Sequence, residues 1–177
     1  MSPMSEQPVL RYGDPRLHQV SAALDDFHPA RMQALLDDLW DTMHARGGVG
    51  IAAPQIGRFV RVVVFGMSHS ERYPDAPPIP RTVLINPVIE PLGDEIEDSW
   101  EGCLSVPGMR GLVSRYQQIR YSGVNEGGEP FTREVDGFHA RVVQHECDHL
   151  DGVLYPMRIK DLREFGFEEE LRRFERP

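Results

Sequence analysis

His145 and His149 stand four residues apart in the run His145-Glu146-Cys147-Asp148-His149. On a helix, positions i and i+4 lie one above the other on the same face. Two imidazoles so placed can grip one metal ion, and the glutamate between them is placed to carry protons. The plain alternative is a helix that happens to bear two surface histidines. Cys147 lies about 200° around such a helix from both histidines, so it should point away from a metal and pack. Asp148 is a poor fourth ligand, and structural hydrogen bonding suits it better.

A catalytic metal of this type usually has three protein ligands, so a third must come from elsewhere. A metzincin protease would continue H-E-x-x-H-x-x-G-x-x-H. Gly152 is in place, but the last position is Tyr155, which is not an equivalent ligand. A thermolysin-like zinc endopeptidase would use a downstream glutamate such as Glu168, Glu169 or Glu170. Those residues also read as a solvated helix face, with Glu168 and Arg172 at i,i+4. Upstream stands Cys103, in Glu101-Gly102-Cys103-Leu104-Ser105. It is either a metal thiolate or a small buried hydrophobe. A third segment, Gly48-Val49-Gly50-Ile51-Ala52-Ala53-Pro54-Gln55, is small enough to let backbone approach a ligand closely. No Lys-Ser/Thr follows it, so it is not a phosphate cradle.

Several elements must position these residues. Met32, Leu35, Leu36, Leu39, Trp40 and Met43 form one apolar stripe at helical spacing, with Pro29 near its start and Gly47-Gly48 at its end. Residues 10–24 read as an extended entry with a turn at Gly13-Asp14-Pro15. Residues 59–65 and 82–89 read as strands, the second broken by Asn86-Pro87, which predicts an edge or a bulge. Residues 66–80 hold several prolines and read as a loop. Residues 116–124 and 129–135 flank Asn125-Glu126-Gly127-Gly128, a hairpin signal. Residues 137–150 form the helix of the paired histidines, stopped at Gly152, and residues 161–174 read as a short charged helix. Strands in the middle and helices near both ends predict an α+β fold. Its largely antiparallel sheet would pack around a central helix carrying the metal motif.

The chain has 177 residues, of which 40% are hydrophobic and 27% charged, which suits one folded domain over 1–177 with residues 1–8 as a flexible tail. The net charge of −9 argues against direct nucleic-acid binding. No apolar run reaches the roughly 18 residues needed to span a membrane, and residues 1–10 carry no secretory pattern. Two cysteines, Cys103 and Cys147, are too few for a disulfide scaffold. A reduced cytoplasm is the expected setting, bacterial by preference, with an organelle left open.

Together, the three small motifs resemble peptide deformylase. The family order GxGxAAxQ, EGCLS, HExDH is matched in full at residues 48–55, 101–105 and 145–149. Residues 11–17 look like the family's entry segment, so the resemblance covers about Val9 to Ile159. It implies that Cys103, His145 and His149 hold one divalent metal, commonly Fe²⁺, with Zn²⁺, Ni²⁺ or Co²⁺ as substitutes. It also implies hydrolysis of the formyl group from N-terminal formyl-methionine, releasing formate. Glu146 would move the protons, while the Gln55 side-chain amide and the Leu104 backbone N–H would face the oxyanion. The Val49 and Gly50 backbone would pair with the peptide as an added strand.

Phe138 and Val142 precede His145 on the ligand face and would help line the methionine pocket, unless they serve only the core. Arg141 shares that face, and Arg110 matches a family arginine near the bound peptide. The implied partners are formyl-methionyl nascent peptides and, more loosely, the ribosome exit region. The chain's last residues lack the long basic helix that some members dock with. Residues 66–80 look longer than in many members and could form a lid or wall.

Overall fold

A computed structural model describes residues 5–71 and 73–176. The apolar stripe forms α1, Pro29–Ala45, with Pro29 in its first turn and Gly47 at φ +65° just beyond its end. The strands that follow are β1 (Gly50–Ala52), β2 (Val62–Met67) and β3 (Ile79–Pro91). Next come β4 (Ile96–Cys103), β5 (Val106–Tyr116), β6 (Gln118–Val124) and β7 (Pro130–Asp136). Helix α2, Gly137–Leu150, carries both histidines. The chain closes with β8, Phe165–Phe167, and α3, Glu168–Arg173.

The fold is α+β with two antiparallel sheets, ordered β1-β2-β3-β6-β7 and β4-β5-β8. Alternate residues of a strand face opposite sides, and β2 uses both. Val62 and Val64 pack with Leu36, Leu39, Trp40 and Met43 of α1. Val63 and Phe65 pack with Ala140, Val143, Cys147 and Leu150 of α2. The large sheet is thus buried on both faces, which explains why residues 62–65 are continuously apolar. A third cluster joins Leu17, Cys103, Val106, Val113, Leu154 and Tyr155 around the small sheet.

Asn86-Pro87 is a bulge: the register of β3 with β6 shifts between Ile85 and Val88, and Asn86 has φ +51°. The Asn86 side chain bonds both the N–H and the carbonyl of Leu24, at 2.8 and 2.9 Å. Gly152 ends α2 at φ +73°, and a Cβ there would collide with the backbone of His18.

Three expectations need correction. Residues 161–174 are not one helix. They form a short 3-10 turn at Leu162–Glu164, then β8, then α3. The open edge of β5 at Met109–Gly111 takes β8 as a partner strand, and the ladder outweighs the local charge pattern. The paired strands β4 and β5 lie where no strand was expected, because charged and glycine residues hide their alternation. Tyr116 therefore ends β5 rather than opening β6.

Two residues of the stretch read as a tail bond to α1. Ser5 donates from its N–H and its hydroxyl to Asp41 at 3.0 Å, and the Gln7 N–H reaches Thr42 Oγ1 at 2.9 Å. Residues 1–4 lie outside the described residues. The entry segment is extended up to a 3-10 turn at Pro15–His18.

Candidate active site

The hairpin of β4 and β5 turns through Leu104-Ser105, since Cys103 pairs with Val106 in the register. This tight turn sets Cys103 at the strand end, facing α2. His145 and His149 project from consecutive turns of α2. One ligand atom from each of Cys103, His145 and His149 lies within 4.8 Å of the others. Cys103 Sγ is 3.4 Å from His149 Nε2. The fit to a metal is good: a thiol and two imidazoles converge in a buried place, and soft-to-borderline divalent ions favour that donor set.

Glu101 fixes the first imidazole. Its Oε1 accepts from His145 Nδ1 at 2.7 Å, which leaves Nε2 as the ring nitrogen free for a ligand bond. Glu101 itself is held bidentately by Arg115 at 2.9 Å on both oxygens, and by Arg141 at 2.6 Å. Burial alone would raise its carboxyl, but hydrogen bonds from Arg115 and His145 hold it well below the usual carboxylate range. Asp148 extends the network, accepting from Arg115 at 2.5 Å and from Arg158 at 2.5 and 2.8 Å.

The two imidazoles are driven apart. Burial opposes charge on both. Hydrogen bonds to Cys103 and Glu101 overcome it at His145, whose pKa rises well above the ordinary value. At His149, burial and the neighbouring His145 act together, and the pKa falls well below it.

Glu146 lies against β1. A Cβ on Gly50 would sit 2.8 Å from its Cγ and Oε1, so only glycine leaves room for this carboxylate. Burial pushes the Glu146 carboxyl up to about 7. That is the range in which a carboxylate can both take and return a proton near neutral pH. Among the described residues its Oε2 is buried with no hydrogen-bond partner.

The 3-10 turn Ala53–Ile56 follows β1 and buries Gln55. Gln55 Oε1 accepts from the Ala52 N–H at 2.9 Å, which aims Nε2 at Ser105 Oγ (3.1 Å) and Cys103 Sγ (3.5 Å). The entry segment braces the same pair of motifs. The Leu10 N–H bonds the Gln55 carbonyl, and the Tyr12 N–H bonds that of Ser105.

A narrow cavity of about 50 Å³ opens on this cluster and is lined by Val49, Gly50, Gln55, Cys103, Leu104, Phe138, Val142, His145 and Glu146. The structure therefore gathers every candidate residue there except His149, which lies deeper, and Arg110. Arg110 stacks over Tyr73 at 5.2 Å and reaches the Trp100 carbonyl at 3.4 Å. Tyr73, from the expected loop, packs on Phe138 with ring centroids 4.7 Å apart and also lines the cavity, as a wall would. The carbonyl of Val49 is taken by the Gly66 N–H. A larger hollow of about 880 Å³ runs between α1 and the outer strands, but among the described residues it gathers no comparable set of ligands.

Sequence reading missed Glu101, Arg115 and Tyr73. Glu101 had a signal, an acid inside a motif of small residues, whereas Arg115 and Tyr73 had none. Cys147 is buried against the large sheet, as its helix angle implies. Glu168 pairs with Arg172 at 3.6 Å, and the metal-type cluster includes no downstream glutamate among the described residues.

The sequence profile described as polypeptide deformylase matches residues 6–165. The chain belongs to the polypeptide deformylase family. It is 59% identical over 163 residues to peptide deformylase 1 of Bordetella pertussis, covering 92% of this chain and 93% of that one. It is also 59% identical over 165 residues to peptide deformylase 1 of Nitrosomonas europaea, covering 93% and 94%. Among solved structures, a class I type b peptide deformylase from Acinetobacter baumannii with Met-Ala-Ser bound matches at TM-score 0.84. That pair shares 38% identity, over 90% of this chain and all of that one. An actinonin complex from Synechococcus elongatus matches at 0.79 with 30% identity, over all of this chain and 90% of that one. The family is metal-dependent, in keeping with the Cys103, His145 and His149 cluster. No described helix is long and apolar enough to cross a membrane.

Proposed function

We propose that this chain removes the formyl group from N-terminal formyl-methionine of new polypeptides, releasing formate and a free amine. The observation that carries the reading is the convergence of Cys103, His145 and His149 beside the buried carboxylate of Glu146. Cys103, His145 and His149 would hold one divalent ion, with Fe²⁺ as the resident metal and Zn²⁺, Ni²⁺ or Co²⁺ as substitutes. When bound, such an ion lowers the pKa of a water and polarises the formyl carbonyl.

The remaining steps belong to the chain. Glu146 takes a proton from the attacking water and later delivers one to the leaving amine. Gln55 Nε2 and the Leu104 N–H donate to the oxyanion that forms on the formyl oxygen. Gly50 sits on β1, the edge strand of the large sheet, so an extended peptide can add beside it, with Val49 adjoining. Phe138 and Val142 offer an apolar seat for the methionine side chain, and Arg110 braces Tyr73 at its rim.

This reading includes one catalytic domain spanning 1–177, with α2 as the central helix between the two sheets. It also places the enzyme in a bacterial cytoplasm, as the bacterial relatives support, with nascent peptides near the ribosome exit as its substrate.

The test is formate release from formyl-Met-Ala-Ser under anaerobic conditions with Fe²⁺ or Ni²⁺. Release of formate that is lost on chelation is the expected result. Cleavage of an internal peptide bond instead would favour an endopeptidase. Cys103→Ala should strip the metal. If Glu169→Ala did so instead, the ligand set would be wrong.

A further inference from the structure

Arg141 is buried, at 6% exposure, one turn before His145 on α2, and it lines the same cavity as Phe138 and Val142. A buried guanidinium is costly unless its charge and its donors are answered. Here Nη1 donates to Glu101 Oε2 at 2.6 Å and to the Val113 carbonyl at 2.9 Å, and Nη2 donates to the Glu97 carbonyl at 2.7 Å. All three acceptors belong to β4 and β5, the hairpin whose tip carries Cys103. The head is thus committed away from the cavity, and the methylene stem is what remains to face it.

The same carboxylate that Arg141 holds accepts from His145 Nδ1 through its other oxygen. Arg115 also grips Glu101, but it is shared with Asp148 nearer the surface. Among the described residues, Arg141 alone bonds backbone on both strands of the hairpin and the carboxylate that orients a histidine of α2. It thereby ties the element that carries Cys103 to the one that carries His145.

We propose that Arg141 is a positioning residue joining the substrate pocket to the metal centre: its stem walls the pocket, and its guanidinium, through Glu101 and the β4–β5 hairpin, sets the geometry of His145 against Cys103. The proposal rests on Cys103, His145 and His149 being the metal ligands.

Two variants separate these parts. Arg141→Met keeps an unbranched apolar stem and removes the guanidinium. Arg141→Lys keeps stem and charge but cannot reproduce the planar fork. Each is loaded with Co²⁺, titrated with a chelator, and compared by its visible ligand-field bands, which loss of stability alone would not shift. Arg141→Met should hold Co²⁺ about 10–100-fold more weakly, with altered bands, and Arg141→Lys should fall between it and the parent. With formyl-Met-Ala-Ser, kcat should drop in both while KM is unchanged, because the pocket wall is retained.

Parental Co²⁺ affinity and bands in Arg141→Met would overturn the proposal. If that variant does not fold, the same result in Arg141→Lys would overturn it. A raised KM in the folded Arg141→Met variant, with kcat intact, would overturn the coupling and leave Arg141 a pocket residue only. A parent protein that binds Co²⁺ yet releases no formate would defeat the deformylase reading instead and leave the Co²⁺ comparison standing.

Discussion

Helices α1 and α2 cover opposite faces of one sheet, yet they bury very different residues. The buried face of α1 is Met32, Leu36, Leu39, Trp40 and Met43, with Thr42 the one polar member. That of α2 includes Arg141, Gln144, His145, Glu146 and His149 alongside its apolar residues. An apolar stripe is stabilised by any apolar surface it meets, at roughly 25 cal/mol per Å² buried. A buried charge is tolerated only where particular partners are already in place. The β4–β5 hairpin supplies partners to Arg141 and His145 of α2, through Glu101 and two backbone carbonyls. α1 therefore buries a stripe that any apolar surface can hold, whereas α2 buries charged and polar groups that need particular partners, and the second sheet is what permits the difference.

The contrast breaks most sharply at Glu146. Glu146→Gln should lower formate release by about 10³-fold while the protein retains its metal by elemental analysis and its melting temperature does not fall. Activity within about tenfold of the parent would reduce Glu146 to a packing residue. Leu39→Ala on the other helix should do the reverse. It should cost about 3 kcal/mol in urea unfolding, with kcat/KM of the folded protein unchanged. A clear loss of kcat/KM there would show that α1 shapes the site.

Gly50→Ala probes the border between the two helices. The new Cβ would lie 2.8 Å from Glu146 Cγ and Oε1, so the carboxylate must shift. A misplacement on the scale of 1 Å can cost roughly 10² in rate, to be read as kcat with metal content held constant.

The smallest effect concerns His139, on α2 but outside the charge network. Burial, then the charge of Arg133, lowers its pKa, and its Nε2 lies 3.1 Å from the Tyr121 hydroxyl. The folded state thus prefers the neutral ring. Its contribution to stability is complete above the unfolded value near ~6.5 and is lost as pH falls through the lower folded value. His139→Gln should flatten that part of the stability–pH curve measured by urea unfolding. An identical curve would place the acid-sensitive group elsewhere.

Some of this architecture was legible from the residues alone. The two long helices, the Asn125–Gly128 turn and the pairing of His145 with His149 all follow from spacings of a few residues. Local backbone geometry converts such spacings directly into shared faces and turns. The order of three short motifs carried the family and pointed to Cys103 and Gln55. What the sequence could not determine was how the metal cluster is supported. Cys103 meets His149 across 46 positions, Arg141 meets Glu101 across 40, and β8 joins β5 rather than continuing a helix. None of these contacts has a local signature. Each exists only because two sheets and a helix stack in one arrangement, and buried charges then accept the partners that arrangement provides.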